Sequence, residues 1–212
     1  MDTNYISSVQ VSKEHYKIQS YVKKQRWLNF YYQIQSILQI RPQNVLEIGP
    51  GPGIVTDTLR KSNISVVTLD IDPNNASNVI GCVMNLPFMD KSFDVVLCSQ
   101  VLEHISYDFF KTAINSLYRV SKKYIIIGLP HSGIKFQLQF KVPYFNTFSF
   151  FKKLPFFWRK HSFDGQHYWE VGKRHYLKKQ IRNQLINWGY KIDGEQFYFD
   201  DPGHWILTLR RQ

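Results

Sequence analysis

The run NVLEI at 44–48 passes straight into GPGPG at 49–53, and this junction limits the fold more than any other stretch. A short apolar run bounded by turn residues reads as a buried strand. Glycines at 49, 51 and 53 allow the tight reversal that a strand makes before a helix. Short apolar runs and helical stretches then alternate. Residues 53–62 read as a helix, SVVTLD (65–70) and FDVVLC (93–98) as strands, 108–120 as a helix and YIIIGL (124–129) as a further buried strand. That alternation predicts an α/β, doubly wound, mostly parallel sheet with helices on both faces. Upstream, residues 13–40 lack proline and glycine, and Tyr21, Leu28, Tyr31, Ile34 and Leu38 recur at helical spacing, so an N-terminal helical segment (1–43) precedes the main domain (44–212). After Pro130 the rhythm breaks for about forty residues, an insertion over about 131–172. A helix over 175–188, ended by Gly189, and two strands at 190–199 and 204–210 close the chain. The turn sequence DDPG between those strands predicts that they pair antiparallel.

In such a sheet the first strand-to-helix turn is the usual ligand site. A dinucleotide would need backbone N–H groups aimed at a pyrophosphate. Pro50 and Pro52 remove two of these donors, Glu47 would repel a diphosphate, and the third glycine follows after one residue rather than two. A cationic cofactor without phosphate meets none of these objections. The turn therefore favours S-adenosylmethionine over a nicotinamide dinucleotide, with Asp70 at the end of the second strand placed to accept from ribose hydroxyls.

VLEIGPGPG, TLDIDP, LPFMDKSFDVVLCSQVLEHI and YIIIGLP follow one another as in a class I S-adenosylmethionine-dependent methyltransferase, which this chain resembles closely over 44–130 and loosely over 165–210. The resemblance implies a Rossmann-like sheet of seven strands with the last inserted antiparallel. It also implies that Glu47, Gly49, Pro50, Gly51 and Gly53 surround the methionine and ribose parts of the cofactor. Asp70 would hold the ribose, Ile71 would pack on the adenine, Val83 and Met84 would meet the adenine edge through backbone groups, and Ser99 would lie by the methionine portion. Where the family often carries an aspartate for the adenine amino group this chain has Cys82, a weak acceptor.

Methyl transfer needs a positioned acceptor and, for a hydroxyl, a base. QVLEHI supplies Glu103 and His104 after the fourth strand, and GQHYWE supplies His167; these three are the expected acceptor-facing residues. The pattern is similar to metal-assisted O-methyltransferases, including small-RNA and quinone-biosynthesis enzymes. Their first glutamate is Gln100 here, and an amide is a poorer ligand for a hard dication, so no metal is expected to be required. The competing expectation is that Glu103 and His104 only satisfy backbone groups. His131 is expected to be structural, and His15, His161, His175 and His204 to be surface or core residues.

The chain carries a net charge of +11, which favours anionic partners. Residues 131–180 hold ten Lys or Arg against two acids, and 136–158 hold ten aromatics. These aromatics are expected mostly to form a small second core, with any exposed remainder an interaction surface. Phe-rich, Lys-flanked FSFFKKLPFFW suits peripheral contact with an anionic membrane better than base stacking, while Pro143 and Pro155 oppose one long helix. With no secretory signal at MDTNYISSVQ and no framework for Cys82 and Cys98, a cytoplasmic protein is expected, peripheral at the inner face of a membrane in the lipid-linked case. The expected activity is methylation of a small or lipid-linked acceptor at oxygen. The alternatives are an RNA methyltransferase and a non-catalytic cofactor-binding adaptor on membrane or nucleic acid. Oligomeric state is not legible.

Overall fold

A computed structural model describes residues 23–75 and 77–211 together with Val9, Tyr16 and Tyr21. Helix α1 (Lys24–Ile40) leads into β1 (Asn44–Ile48), α2 (Ile54–Lys61), β2 (Ser65–Asp70), the short β3 (Val79–Ile80) and β4 (Phe93–Ser99). Two 3-10 turns, Leu102–His104 and Tyr107–Phe109, precede α3 (Phe110–Val120) and β5 (Ser121–Pro130). The strands β6 (Ile134–Phe140) and β7 (Phe148–Leu154) then form a separate hairpin, and α4 (Lys178–Asn187), β8 (Lys191–Gln196) and β9 (His204–Arg210) complete the chain.

The main sheet runs β3-β2-β1-β4-β5-β9-β8. β1, β2, β3, β4 and β5 pair in parallel, and β9 inserts antiparallel between β5 and β8. This is the predicted seven-stranded arrangement, including the antiparallel closing pair. The central strands are buried on both faces, which is why they read as continuous apolar runs. Ile125, Ile126, Ile127 and Leu129 of β5 are all buried, each stabilising the fold by roughly 1.5–3 kcal/mol relative to exposure.

Two apolar layers flank the sheet. Leu46, Ile48, Leu69 and Val96 face one layer with Leu117 of α3 and Leu185 of α4. Val45, Val66, Val95 and Ile126 face the other with Ile37 of α1 and Leu59 of α2. Helix α1 ends at Arg41, which adopts a left-handed conformation (φ 54) just before Pro42. Its buried face departs from the expected apolar stripe: Asn29, Gln33, Ser36 and Ile37 are buried, whereas Tyr31 is exposed. The polar members are satisfied, Gln33 donating to Asn29 Oδ1 and Asn29 to Asp201 Oδ2 at 3.3 Å. Buried polar groups so paired cost little, and they dock α1 against the β8–β9 connection. The helical expectation for 13–22 and the surface expectation for His15 fall mostly on residues outside the described set.

The insertion corrects the sequence expectation. The aromatics of 134–158 do not fold into a second core: Phe136, Phe140, Phe145, Phe148, Phe150, Phe157 and Trp158 are all exposed. The residue pattern predicts no strands there, yet two form. The prolines do lie outside any helix, Pro143 at the hairpin tip and Pro155 just beyond β7.

Candidate active site

The site lies beyond the carboxyl ends of β1, β2 and β4. The Gly49 N–H donates to Leu69 O at 2.8 Å and holds the first turn against β2. Gly49 has φ +67, and a Cβ there would lie 2.6 Å from Val101 Cγ2, so the turn admits only glycine. Beside it opens a cleft. Of the residues expected at the cofactor, Gly49, Asp70, Ile71 and Val83 line this cleft. Asp72, Asn75, Gly81, Gln100, Val101, Val9 and Tyr16 join them without any sequence signal for that role. Cys82, at the position where the resemblance leads one to expect an aspartate, also lines the cleft.

Asp70 is fixed in place at the cleft. Its Oδ1 accepts from the Asp72 N–H at 2.9 Å and its Oδ2 from Asn75 Nδ2 at 3.1 Å. These bonds fix the carboxylate while leaving each oxygen a second lone pair. Burial raises its pKa, and the two donors act against that rise.

The remaining expected cofactor residues lie outside the lining. Pro50, Gly51 and Gly53 continue the turn, with a Cβ on Gly51 approaching the Tyr16 ring at 3.3 Å. Met84 packs half-buried against the main core, and Ser99 is packed over Gly128 with its Oγ buried. Glu47 is the clear departure. Along β1 the side chains alternate, so Ile48 reaches the cleft while Glu47 shares the opposite face with Val45. There the Thr56 hydroxyl donates to Glu47, and burial pushes its carboxyl up to about 7. Glu47 therefore does not present a charge to the cleft.

The acid and imidazole candidates do converge, through contacts that join residues 102–105 to 164–173. The fully buried Trp169 donates its indole N–H to Leu102 O and Ile105 O, each at 3.1 Å. The Tyr168 N–H donates to Glu103 O at 2.8 Å. This clamp sets His167 beside His104, ring centroids 5.0 Å apart and nearly perpendicular. Asp164 Oδ1 accepts from the N–H groups of Gln166 (3.0 Å) and His167 (2.8 Å), shaping the loop. His161 Nε2 bonds His167 O at 2.8 Å while its Nδ1 accepts from Lys173 at 3.0 Å, and Lys173 pairs with Glu170 at 2.8 Å. His161 thus supports the loop, a role with no visible signal in sequence.

His104 lines the cleft, and its Nδ1 lies 3.0 Å from Gln166 O, which places the proton on Nδ1 and makes Nε2 the basic nitrogen. Burial lowers the His167 pKa, keeping that ring neutral, although Asp164 and Glu170 act the other way. Glu103 is fully buried, neither carboxyl oxygen has a hydrogen-bond partner among the described residues, and burial pushes its pKa up to about 8. The competing expectation, that Glu103 and His104 serve backbone groups, is met at His104 through its bond to Gln166 O. One ligand atom each from Glu103, His104 and His167 lie within 4.8 Å of one another, a spacing that a divalent cation could bridge. His131, expected to be structural, is buried just after β5 and bridged to Val171, with a pKa lowered to about 3 by burial and by Lys153. His204 pairs with Asp201 at 2.6 Å.

Residues 46–126 match the family described as a methyltransferase domain. A curated relative, the uncharacterized protein MJ0638 of Methanocaldococcus jannaschii, is 30% identical over 119 residues, which cover 51% of this chain and 48% of the relative. The chain thus spans about half the length of that relative. Among solved structures, the fold is similar to the Burkholderia thailandensis 1,6-didemethyltoxoflavin-N1-methyltransferase with bound 1,6-didemethyltoxoflavin and S-adenosylhomocysteine. The TM-score is 0.60 at 15% identity, covering 88% of this chain and 81% of that one. It is also similar to the Synechocystis PCC 6803 magnesium protoporphyrin IX methyltransferase with bound S-adenosylhomocysteine, with TM-score 0.56, 13% identity and coverage of 89% and 84%.

Proposed function

We propose that this chain, a class I methyltransferase by its matched domain and its fold, transfers the methyl group of S-adenosylmethionine to a small or lipid-linked acceptor, at oxygen. One observation carries the proposal: Gly49, Asp70, Ile71 and Cys82 share a single cleft with His104. A binding surface for an adenosyl group and a candidate base thus meet in one cavity. The bound S-adenosylhomocysteine and the small-molecule acceptor named for the Burkholderia relative, an N1-methyltransferase, support the cofactor and a small acceptor, while the choice of oxygen rests on the acid and imidazole side chains alone.

The residues present fit the cofactor. Asp70, fixed by Asp72 and Asn75, has lone pairs for ribose hydroxyls, and Ile71, Gly81, Cys82 and Val83 offer a surface for a purine. When bound, S-adenosylmethionine supplies an electrophilic methyl group. The protein's part is to hold the acceptor in line and to remove its proton. His104 Nε2, its tautomer set by the bond from Nδ1 to Gln166 O, takes the proton that a hydroxyl acceptor loses. His167, neutral through burial, stands by to orient the acceptor. Glu103, protonated at neutral pH, serves as a hydrogen-bond donor in that state.

A cation-assisted form of the reaction is the second reading, favoured by the buried carboxyl oxygens of Glu103 lying close to the imidazoles of His104 and His167. A divalent cation bound there would hold Glu103 ionised and supply the missing partner.

The test is to incubate cell extract with purified protein and methyl-labelled cofactor, then fractionate. Label in a small organic or lipid product supports the proposal. Label in RNA favours the RNA methyltransferase, and cofactor binding without any labelled product favours the adaptor. Repeating the assay after chelation, with and without added magnesium, decides between the two forms of the reaction.

A further inference from the structure

The β6–β7 hairpin is built inside out. Strand registry pairs Ile134 with Leu154, Leu138 with Phe150 and Phe140 with Phe148, which puts these side chains on one face together with Phe136. Each of these seven apolar residues is 40–60% exposed. The other face, carrying Lys135, Gln137, Gln139, Ser149 and Lys153, is the one turned to the domain. Gln137 donates to Phe199 O, and Lys153 donates to His131 O and Pro202 O. The Phe151 ring meets Phe199 on the same side. An antiparallel pair ordinarily turns its apolar face to the core and its polar face to water. Here hydrogen bonds fix the reverse orientation, so the apolar face is committed to a partner other than its own domain.

The charge of this segment identifies the partner. Residues 131–163 contain six Lys or Arg and no Asp or Glu. Lys152 stands on the apolar face itself, opposite Phe136, and Lys141 flanks the tip, where Tyr144 and Phe145 are exposed. Beyond β7, exposed Phe157 and Trp158 adjoin Arg159 and Lys160. A second copy of the chain would bring like charges together. A surface rich in negative charge over an apolar interior meets both features at once: lysines at headgroups, phenylalanines beneath them.

We propose that the β6–β7 hairpin seats this protein on an anionic lipid bilayer, with its aromatic face in the acyl boundary and its lysines on the headgroups. At roughly 3.4 Å per residue, its seven-residue strands give the hairpin an apolar face about 20 Å long. The hairpin begins just after β5, at the carboxyl edge of the sheet where the cleft opens, so docking would bring a membrane-held acceptor to the site. The docking itself does not depend on the methyl-transfer proposal.

The test is sedimentation of the full chain with vesicles of phosphatidylcholine alone and of phosphatidylcholine with about 30% phosphatidylserine, at physiological salt. The result expected is at least roughly tenfold tighter partition onto the anionic vesicles, with a blue shift of tryptophan emission. Phe145→Asp and Phe148→Asp, at exposed positions, should each weaken it at least roughly tenfold. Circular dichroism and S-adenosylhomocysteine titration of the same variants should match the parent, which separates loss of docking from loss of the fold or of cofactor use. Equal partition onto both vesicles would overturn the proposal, as would binding to RNA in preference to vesicles. So would concentration-dependent dimerisation that the same two variants abolish.

Discussion

Replacing Glu47 by glutamine should stabilise the protein, and by more at pH 8 than at pH 5. The carboxyl is almost fully buried, accepts a bond from Thr56, and has its pKa raised from 4.5 to about 7, chiefly by burial. A group whose pKa is raised by folding contributes stability that is fully present below the unfolded value and is lost as pH rises through the folded one. The window is therefore pH 4.5 to about 7. At pH 8 the ionised carboxylate costs roughly 3 kcal/mol relative to acid conditions, and at pH 5 only about 1 kcal/mol of that is already spent. The glutamine amide would keep an acceptor for the Thr56 hydroxyl and carry no charge to bury. Urea unfolding followed by circular dichroism at the two pH values measures the difference. The substitution should raise the midpoint by roughly 1 M more at pH 8 than at pH 5, for a slope of about 2 kcal/mol/M. An equal effect at both values would refute the placement, as would a loss of stability at pH 8. Cofactor affinity should change less than about threefold, because Glu47 faces Thr56 and not the cleft; a tenfold loss would restore it as a cofactor residue.

Asp70→Ala should weaken S-adenosylhomocysteine binding at least roughly tenfold by calorimetry, since one substitution removes both fixed oxygens; unchanged affinity would show that the ribose lies elsewhere. Gly49→Ala should abolish cofactor binding or destabilise the fold by more than about 2 kcal/mol, because it forces both a left-handed backbone and a contact with Val101. His167→Ala should lower kcat more than about tenfold while leaving cofactor affinity within about twofold, and turnover equal to the parent would remove His167 from the site. Trp169→Phe, which deletes two buried hydrogen bonds, should cost about 2 kcal/mol of stability and also lower kcat by displacing His167, as read by thermal unfolding and initial rates.

Much of this fold was legible because the central strands are buried on both faces and so read as unbroken apolar runs bounded by turn residues. Ser65–Asp70 and His204–Arg210 fall where the residue pattern puts them. Apolar spacing announced helix α1 but not its buried face, which includes Asn29 and Gln33 and docks through Asp201. The hairpin escaped for a different reason. Its alternation was present, but its apolar side faces outward, and Phe150 next to Phe151 blurred the period. At the site, Asp70 and Ile71 were readable from their place at the end of a strand. The two-residue period of β1 already puts Glu47 with Val45 and away from Ile48, a local signal that the motif resemblance overrode. The meeting of His104 with His167 spans about sixty residues and depends on Trp169, a tertiary contact with no local signature.

The most direct measurement is isothermal titration of the purified full chain with S-adenosylmethionine and S-adenosylhomocysteine at neutral pH. A saturable heat at one site per chain, lost in Asp70→Ala, is the predicted result. No heat with either compound, from protein shown to be folded by circular dichroism, would contradict the account.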